Sequence, residues 1–200
     1  MKILCFFLCL YTIFTTPVMA EPQPKLLKSA DQIRSAITKN KFAAAIYQTH
    51  ILLLELKEKQ QKILEKFFPI QYEAFVKATP EFTGDPDTIG VLCAIRYLNP
   101  VNQTIDVNIV FWDSSINEYL DLVRNPKKVA KQDHLSLVKM PGSIGALERF
   151  LPDQDYCERN IVLSDRVMVN VIVNGAESKK LLEGFCKILD LKGIGAWLSF

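Results

Sequence analysis

From Val91 to Phe111 the apolar side chains fall on every second residue, a period that a half-buried strand satisfies and a helix cannot. Val91, Cys93, Ile95 and Tyr97 make one face, Asn99-Pro100 turns the chain, and Ile105, Val107, Ile109 and Phe111 repeat the pattern. This is an antiparallel hairpin with one strongly apolar side. Two more hairpins are expected, His134 to Met140 with Ile144 to Phe150 about Pro141-Gly142, and Tyr156 to Leu163 with Arg166 to Asn174 about Ser164-Asp165. An antiparallel sheet of about six strands must bury its apolar face under helices, which places the chain in the α+β class. A helix from Ile116 to Arg124, capped by Asp113 or Ser114, and a last helix from Ala176 to Lys192, stopped at Gly193, are available to cover it.

The N-terminal part obeys a different period. Ser29-Ala30-Asp31-Gln32 reads as a capping box, and Ala30, Ile33, Ala36 and Ile37 give the helix it opens an apolar face that ends at Asn40. A longer helix starts at Phe42 with the stripe Ala45, Ile46, Leu53, Leu56, Ile63, Leu64 and Phe67, and Pro69 ends it. It is about 40 Å long at 1.5 Å per residue, more than twice its neighbour. Leu56, Ile63, Leu64 and Phe67 therefore need cover from the sheet domain, a second copy or a partner, and form a candidate interaction surface. Pro80, Gly84, Asp85, Pro86 and Asp87 mark a linker. The expected organisation is a helical hairpin at 21–69, a linker at 70–88 and a sheet domain at 89–200.

Residues 1–20 read as a secretory signal peptide: Lys2 supplies the charge, Ile3 to Phe14 the apolar run, Pro17 the break, and Val18 and Ala20 the small residues before the cut. The run is shorter than the roughly 20 residues of a membrane span. The expected product is exported, periplasmic in a bacterium and secreted otherwise, with no transmembrane anchor. The balance of 24 basic to 22 acidic residues, with Lys2 lost in processing, gives no reason to expect a nucleic-acid partner. Cys5 and Cys9 also leave, so Cys93, Cys157 and Cys186 remain and allow at most one intramolecular disulfide. Cys93 with Cys186 is the expected pair, a strand's apolar face meeting a covering helix.

Ala36, Asn40, Phe42 and Ala45 resemble the turn of a tetratricopeptide helix pair, present here once. More broadly, Lys41-Phe42-Ala43-Ala44-Ala45, the long Leu- and Gln-rich helix, and a hairpin-rich sheet carrying Asp165-Arg166 and Leu189-Asp190-Leu191 are similar in layout to small secreted or periplasmic bacterial proteins of unknown function. The sheet region resembles PsbP/Mog1-type scaffolds, a likeness that implies protein binding by fold analogy and brings no catalytic residues.

Chemistry is sparse. Asp85-Pro86-Asp87 opens like a calcium loop, but Ile89 and Arg96 stand where oxygen ligands belong. His50 and His134 are the only histidines, too few for a zinc site without paired cysteines, and no cofactor or metal is expected. Cys157 between Tyr156 and Glu158-Arg159, or Ser143 in Gly142-Ser143-Ile144, with His134 as base, would make a small hydrolase or thiol enzyme. Arg124, Lys127, Lys128 and Lys131 form the densest basic patch. The leading expectation is a non-catalytic exported protein-interaction module; an apolar-ligand carrier using space between sheet and helices is the other binding alternative.

Overall fold

A computed structural model describes residues 24–78 and 90–198. The expected signal peptide and most of the expected linker lie outside the described residues. The chain divides at Thr49/His50, inside its longest helix, into two compact units.

The first unit holds α1 (Pro24–Thr38) and the opening of α2 (Phe42–Leu64). Ser29 does not cap α1, which begins at Pro24, a residue whose ring presets the helical φ. Ser29 lies one turn inside, its hydroxyl donating to Lys25 O at 3.2 Å. The helix ends as its sequence requires. Asn40 takes the left-handed conformation at φ 52°, Asn40 N–H donates to Ile37 O at 2.9 Å and Lys41 N–H to Ala36 O at 2.8 Å, a Schellman closure.

The second unit is α+β around one open antiparallel sheet of eight strands, not six. The strands are β1 (Gln71–Tyr72), β2 (Phe75–Lys77), β3 (Val91–Leu98), β4 (Thr104–Phe111), β5 (Leu135–Val138), β6 (Gly145–Leu151), β7 (Tyr156–Val162) and β8 (Val167–Asn174). They lie side by side as β1-β2-β3-β4-β8-β7-β6-β5. The meander β5 to β8 thus docks its last strand against β4, along the whole length of both. The two extra strands come from the stretch expected to be linker, and being two and three residues long they carry no readable period.

One sheet face presents Cys93, Ile95 and Tyr97, then Ile109, Val107 and Ile105, then Val169, Val171 and Val173 in register across three strands, all buried. It is covered by α5 (Ser178–Ile188) through Leu182, Phe185 and Cys186, and by α6 (Leu191–Leu198) through Ile194 and Leu198. Phe185 packs edge-on against Tyr97 at 5.1 Å and Tyr72 at 5.4 Å. Each such side chain contributes roughly 1.5 to 3 kcal/mol of apolar burial, so this layer carries the fold. The single helix expected over 176–192 is two, because Leu189 turns extended (φ −71°, ψ 131°) and Asp190 Oδ1 accepts Gly193 N–H at 2.8 Å to start a new one. Gly193 opens α6 where the sequence suggested a stop.

The opposite face carries α3 (Ser115–Arg124) over β6 and β7, followed by the single turn α4 (Pro126–Val129) on β5. Ile116 and Leu120 are buried there with Leu147, Val162 and Met168. Ser114 stands at the N-cap without a side-chain capping bond, and Asp113 Oδ1, one residue earlier, accepts Ser115 N–H at 2.8 Å.

The later half of α2 belongs to this unit and continues into a 3-10 turn, Glu65–Phe67, before the extended Phe68 that Pro69 demands. Its buried side is Lys57, Gln61, Leu64 and Phe68, not the stripe through Leu56 and Ile63. Leu64 is wholly enclosed in the sheet core and Phe67 packs against it, whereas Leu56 and Ile63 are exposed. The spacing of four, three and four turns Lys57 and Gln61 inward with Leu64, their stems serving as apolar cover.

Candidate functional site

Strand periodicity places two charges where the sheet should be apolar. On β6 the helix-covered positions are Ala146, Glu148 and Phe150; on β7 they are Cys157, Arg159 and Ile161. Glu148 and Arg159 are direct cross-strand partners, with side chains 4% and 5% exposed. Arg159 Nε donates to Glu148 Oε2 at 3.2 Å, and Nη2 donates to the same oxygen. From α5, Lys179 brings Nζ to 3.7 Å from the other oxygen, Oε1, and lies over the Phe150 ring. The remaining guanidinium edge meets sulfur: Arg159 Nη1 donates to Met140 Sδ at 3.6 Å, a weak acceptor.

This pair floors a cavity of about 690 Å³ between the β5–β6 end of the sheet and the α5–α6 helices. Val138, Met140, Pro141, Leu189 and Leu191 give it apolar walls, and Lys139, Lys187 and Lys192 stand with Lys179 around it. Its size is that of a small-molecule site, and charged side chains from both strands and helices share its lining with the apolar ones. A second cavity, about 560 Å³, shares Leu191 and Lys192 and extends along the β7–β8 turn past Ser164 and Arg166.

The other sheet face has a polar ladder that is spent on itself. Asn170 Nδ2 donates to Glu158 Oε1 and Asn160 Oδ1, both at 2.9 Å; Asn160 Nδ2 reaches Glu158 Oε1 and the Tyr156 hydroxyl reaches Glu158 Oε2, also at 2.9 Å. Burial first, and then this bond, push the Tyr156 phenol well above its ordinary range.

The residues singled out from sequence are not gathered here as a catalytic group. Cys157 is fully buried, and burial pushes its thiol up to about 12, so it is protonated at neutral pH and a poor nucleophile. Ser143 Oγ donates to Met140 O at 2.9 Å within its turn, and His134 is an exposed residue at φ 62°. Among the described residues no hydrogen bond joins His134 to either. Cys93, Cys157 and Cys186 stand as buried free thiols. Cys93 and Cys186 lie on the same buried layer, as separate members of an apolar core. In the basic patch Lys128 pairs with Asp121 at 2.6 Å, and Arg124, Lys127 and Lys131 are exposed. Among the described residues no three His, Cys, Asp or Glu side chains converge as metal ligands, and no helix is long and apolar enough to cross a membrane.

Sequence reading missed the Glu148–Arg159 pair, although its signal was there: two charged residues in phase with the buried positions of neighbouring strands, across a hairpin. No protein family, curated protein or solved structure matches the chain.

Proposed function

We propose that this protein is an exported, non-catalytic binding module that carries a small, largely apolar ligand in the cavity beneath α5. The observation that supports this reading is the cavity itself, about 690 Å³ with apolar walls over a buried Arg159–Glu148 floor. A fold needing only stability gains nothing from a buried ion pair, which hydrophobic residues of similar volume replace at no loss. Set beside a cavity of ligand size, it is placed to orient a bound molecule. In this reading, processing after Ala20 delivers the chain to the periplasm or the exterior. Native mass spectrometry of protein purified from an exported fraction, with titration of the neutral dye N-phenyl-1-naphthylamine, tests it. A co-purifying small molecule that the dye displaces is the expected result, and an empty protein that leaves the dye dark refutes the reading.

Protein docking is a second reading, favoured by one observation on the first unit. Phe42, Ile46 and Tyr47 are 59%, 71% and 62% exposed at the start of α2, the second arm of the N-terminal helical hairpin. Ile46→Asp would then abolish association with a partner and leave the thermal midpoint unchanged; unchanged association removes this surface from consideration.

A further inference from the structure

We infer that the ligand's polar head is a monoanionic carboxylate, received on the Nη1 edge of Arg159 and by the Lys179 ammonium. This rests on the carrier reading of the same cavity and adds the chemical class of what it holds. Three observations carry it.

The first is charge. Five basic and three acidic side chains line the cavity, and with Glu148 and Arg159 offsetting one another four lysines stand against Glu183 and Asp190. An anion is drawn in and a cation is repelled.

The second is an unequal guanidinium. Glu148 takes the Nε and Nη2 donors on a single oxygen, while Nη1 has the Met140 thioether at 3.6 Å and the Cys186 thiol is the guanidinium's other, equally weak, sulfur partner. A carboxylate oxygen in that place exchanges a weak acceptor for a charge-assisted bond. Met140 is unbranched, lines the same cavity and gives way by rotation about its own bonds. Lys179, half exposed, stands on the other side of Glu148 and can swing to the second ligand oxygen without uncovering the pair.

The third is the limit on charge. The Glu148 carboxylate shares Arg159 with the incoming head, so each further negative charge on the ligand meets it at close range in a low dielectric. One sulfur-facing edge matches one carboxylate, and a phosphate dianion is disfavoured. The apolar walls at Val138, Leu189 and Leu191 then take the ligand's hydrocarbon part.

Calorimetric titration of the exported full chain at neutral pH with decanoate, decanol, decyl phosphate and decyltrimethylammonium tests the head group. Decanoate is expected to bind about tenfold more tightly than decanol, the ratio that one charge-assisted bond supplies. Decyl phosphate is expected to bind more weakly than decanoate, and the ammonium not at all. Lys179→Met should weaken decanoate several-fold and leave decanol unchanged. Met140→Glu, which supplies a carboxylate to the same Arg159 edge, should abolish decanoate binding with the thermal midpoint kept. Equal affinity for decanoate and decanol, with Lys179→Met indifferent, overturns the carboxylate and leaves the carrier reading standing. Tighter binding of decyl phosphate overturns the monoanion. No binding of any of the four, with the neutral dye also dark, removes both.

Discussion

Removing the Arg159 head by Arg159→Met leaves the Glu148 carboxylate in the sheet layer at 4% exposure, with Lys179 at 3.7 Å as its remaining cation. Breaking a buried pair from one side costs about 3 to 5 kcal/mol, because the surviving charge is desolvated without compensation. Lys179 is half exposed and already leans on Glu148 Oε1, so the lower end applies, about 3 kcal/mol. For a chain of this size that is a fall in Tm of roughly 6 to 12 °C. The double variant Glu148→Leu/Arg159→Met removes both charges, fills the same two cross-strand positions with apolar volume, and should recover the parent midpoint or exceed it. The midpoints of Arg159→Met, the single variant Glu148→Leu and the double variant, followed by circular dichroism, form a cycle with the parent in which the coupling is most of the single-variant loss. A loss below about 1 kcal/mol for Arg159→Met, or a double variant no more stable than the single, would refute the reasoning that this is a mutually dependent buried pair. The recovered double variant should also fail to bind decanoate, separating what the pair does for the ligand from what it does for the fold.

An alanine at Gly145 would put its Cβ 2.5 Å from Val123 Cγ1, where α3 crosses β6, and a β-branched neighbour has no spare rotamer to yield. Gly145→Ala should cost about 1 to 3 kcal/mol in denaturant unfolding, with recovery in Gly145→Ala/Val123→Ala; a neutral single variant contradicts the packing. Burial raises the thiols of Cys93 and Cys157 to about 12 and of Cys186 to about 11. The folded thiols therefore keep their protons where unfolded ones lose them, so stability is full below pH 9 and falls as pH rises from 9 through 12. Cys157→Val should flatten that alkaline slope, and native protein at pH 8 should react with a thiol reagent no faster than it unfolds; three rapidly titrated thiols would contradict their placement in the core.

The fold was legible where one period ran long enough to be unambiguous. The β3–β4 hairpin, both later hairpins and α3 stand close to their expected limits, since eight alternating residues leave no helical alternative. What misled was local signals outranked by other groups. Ser29 has the capping-box pattern, but Pro24 starts the helix earlier. Gly193 follows a lysine like a helix end, but Leu189 had already broken the helix and Asp190 restarted it. In α2 apolar residues stand on more than one side, so composition could not say which side faces the sheet; packing chose the side containing Leu64 and turned Lys57 and Gln61 inward with it.

The candidate site was harder to see for a reason tied to what it is. Reading for catalysis looks for nucleophiles and bases, and here those types do structural work: Cys157 fills the core and Ser143 closes a turn. Cross-strand register instead marks Glu148 and Arg159. Neither is unusual alone, and each is in phase with buried neighbours on its own strand; only the antiparallel pairing that sets Glu148 opposite Arg159 makes them one object. The register also explains why the pair borders a cavity. β5 is the edge strand and sets Ser136 opposite Glu148, so the pair lies one strand in from the sheet edge, and Ser136 and Val138 of β5 line the cavity with Glu183 and Lys187 of α5. The buried guanidinium, its Nη1 edge turned to the Met140 thioether and the Cys186 thiol also beside it, thus lies at the β5–β6 end of the sheet where the cavity opens.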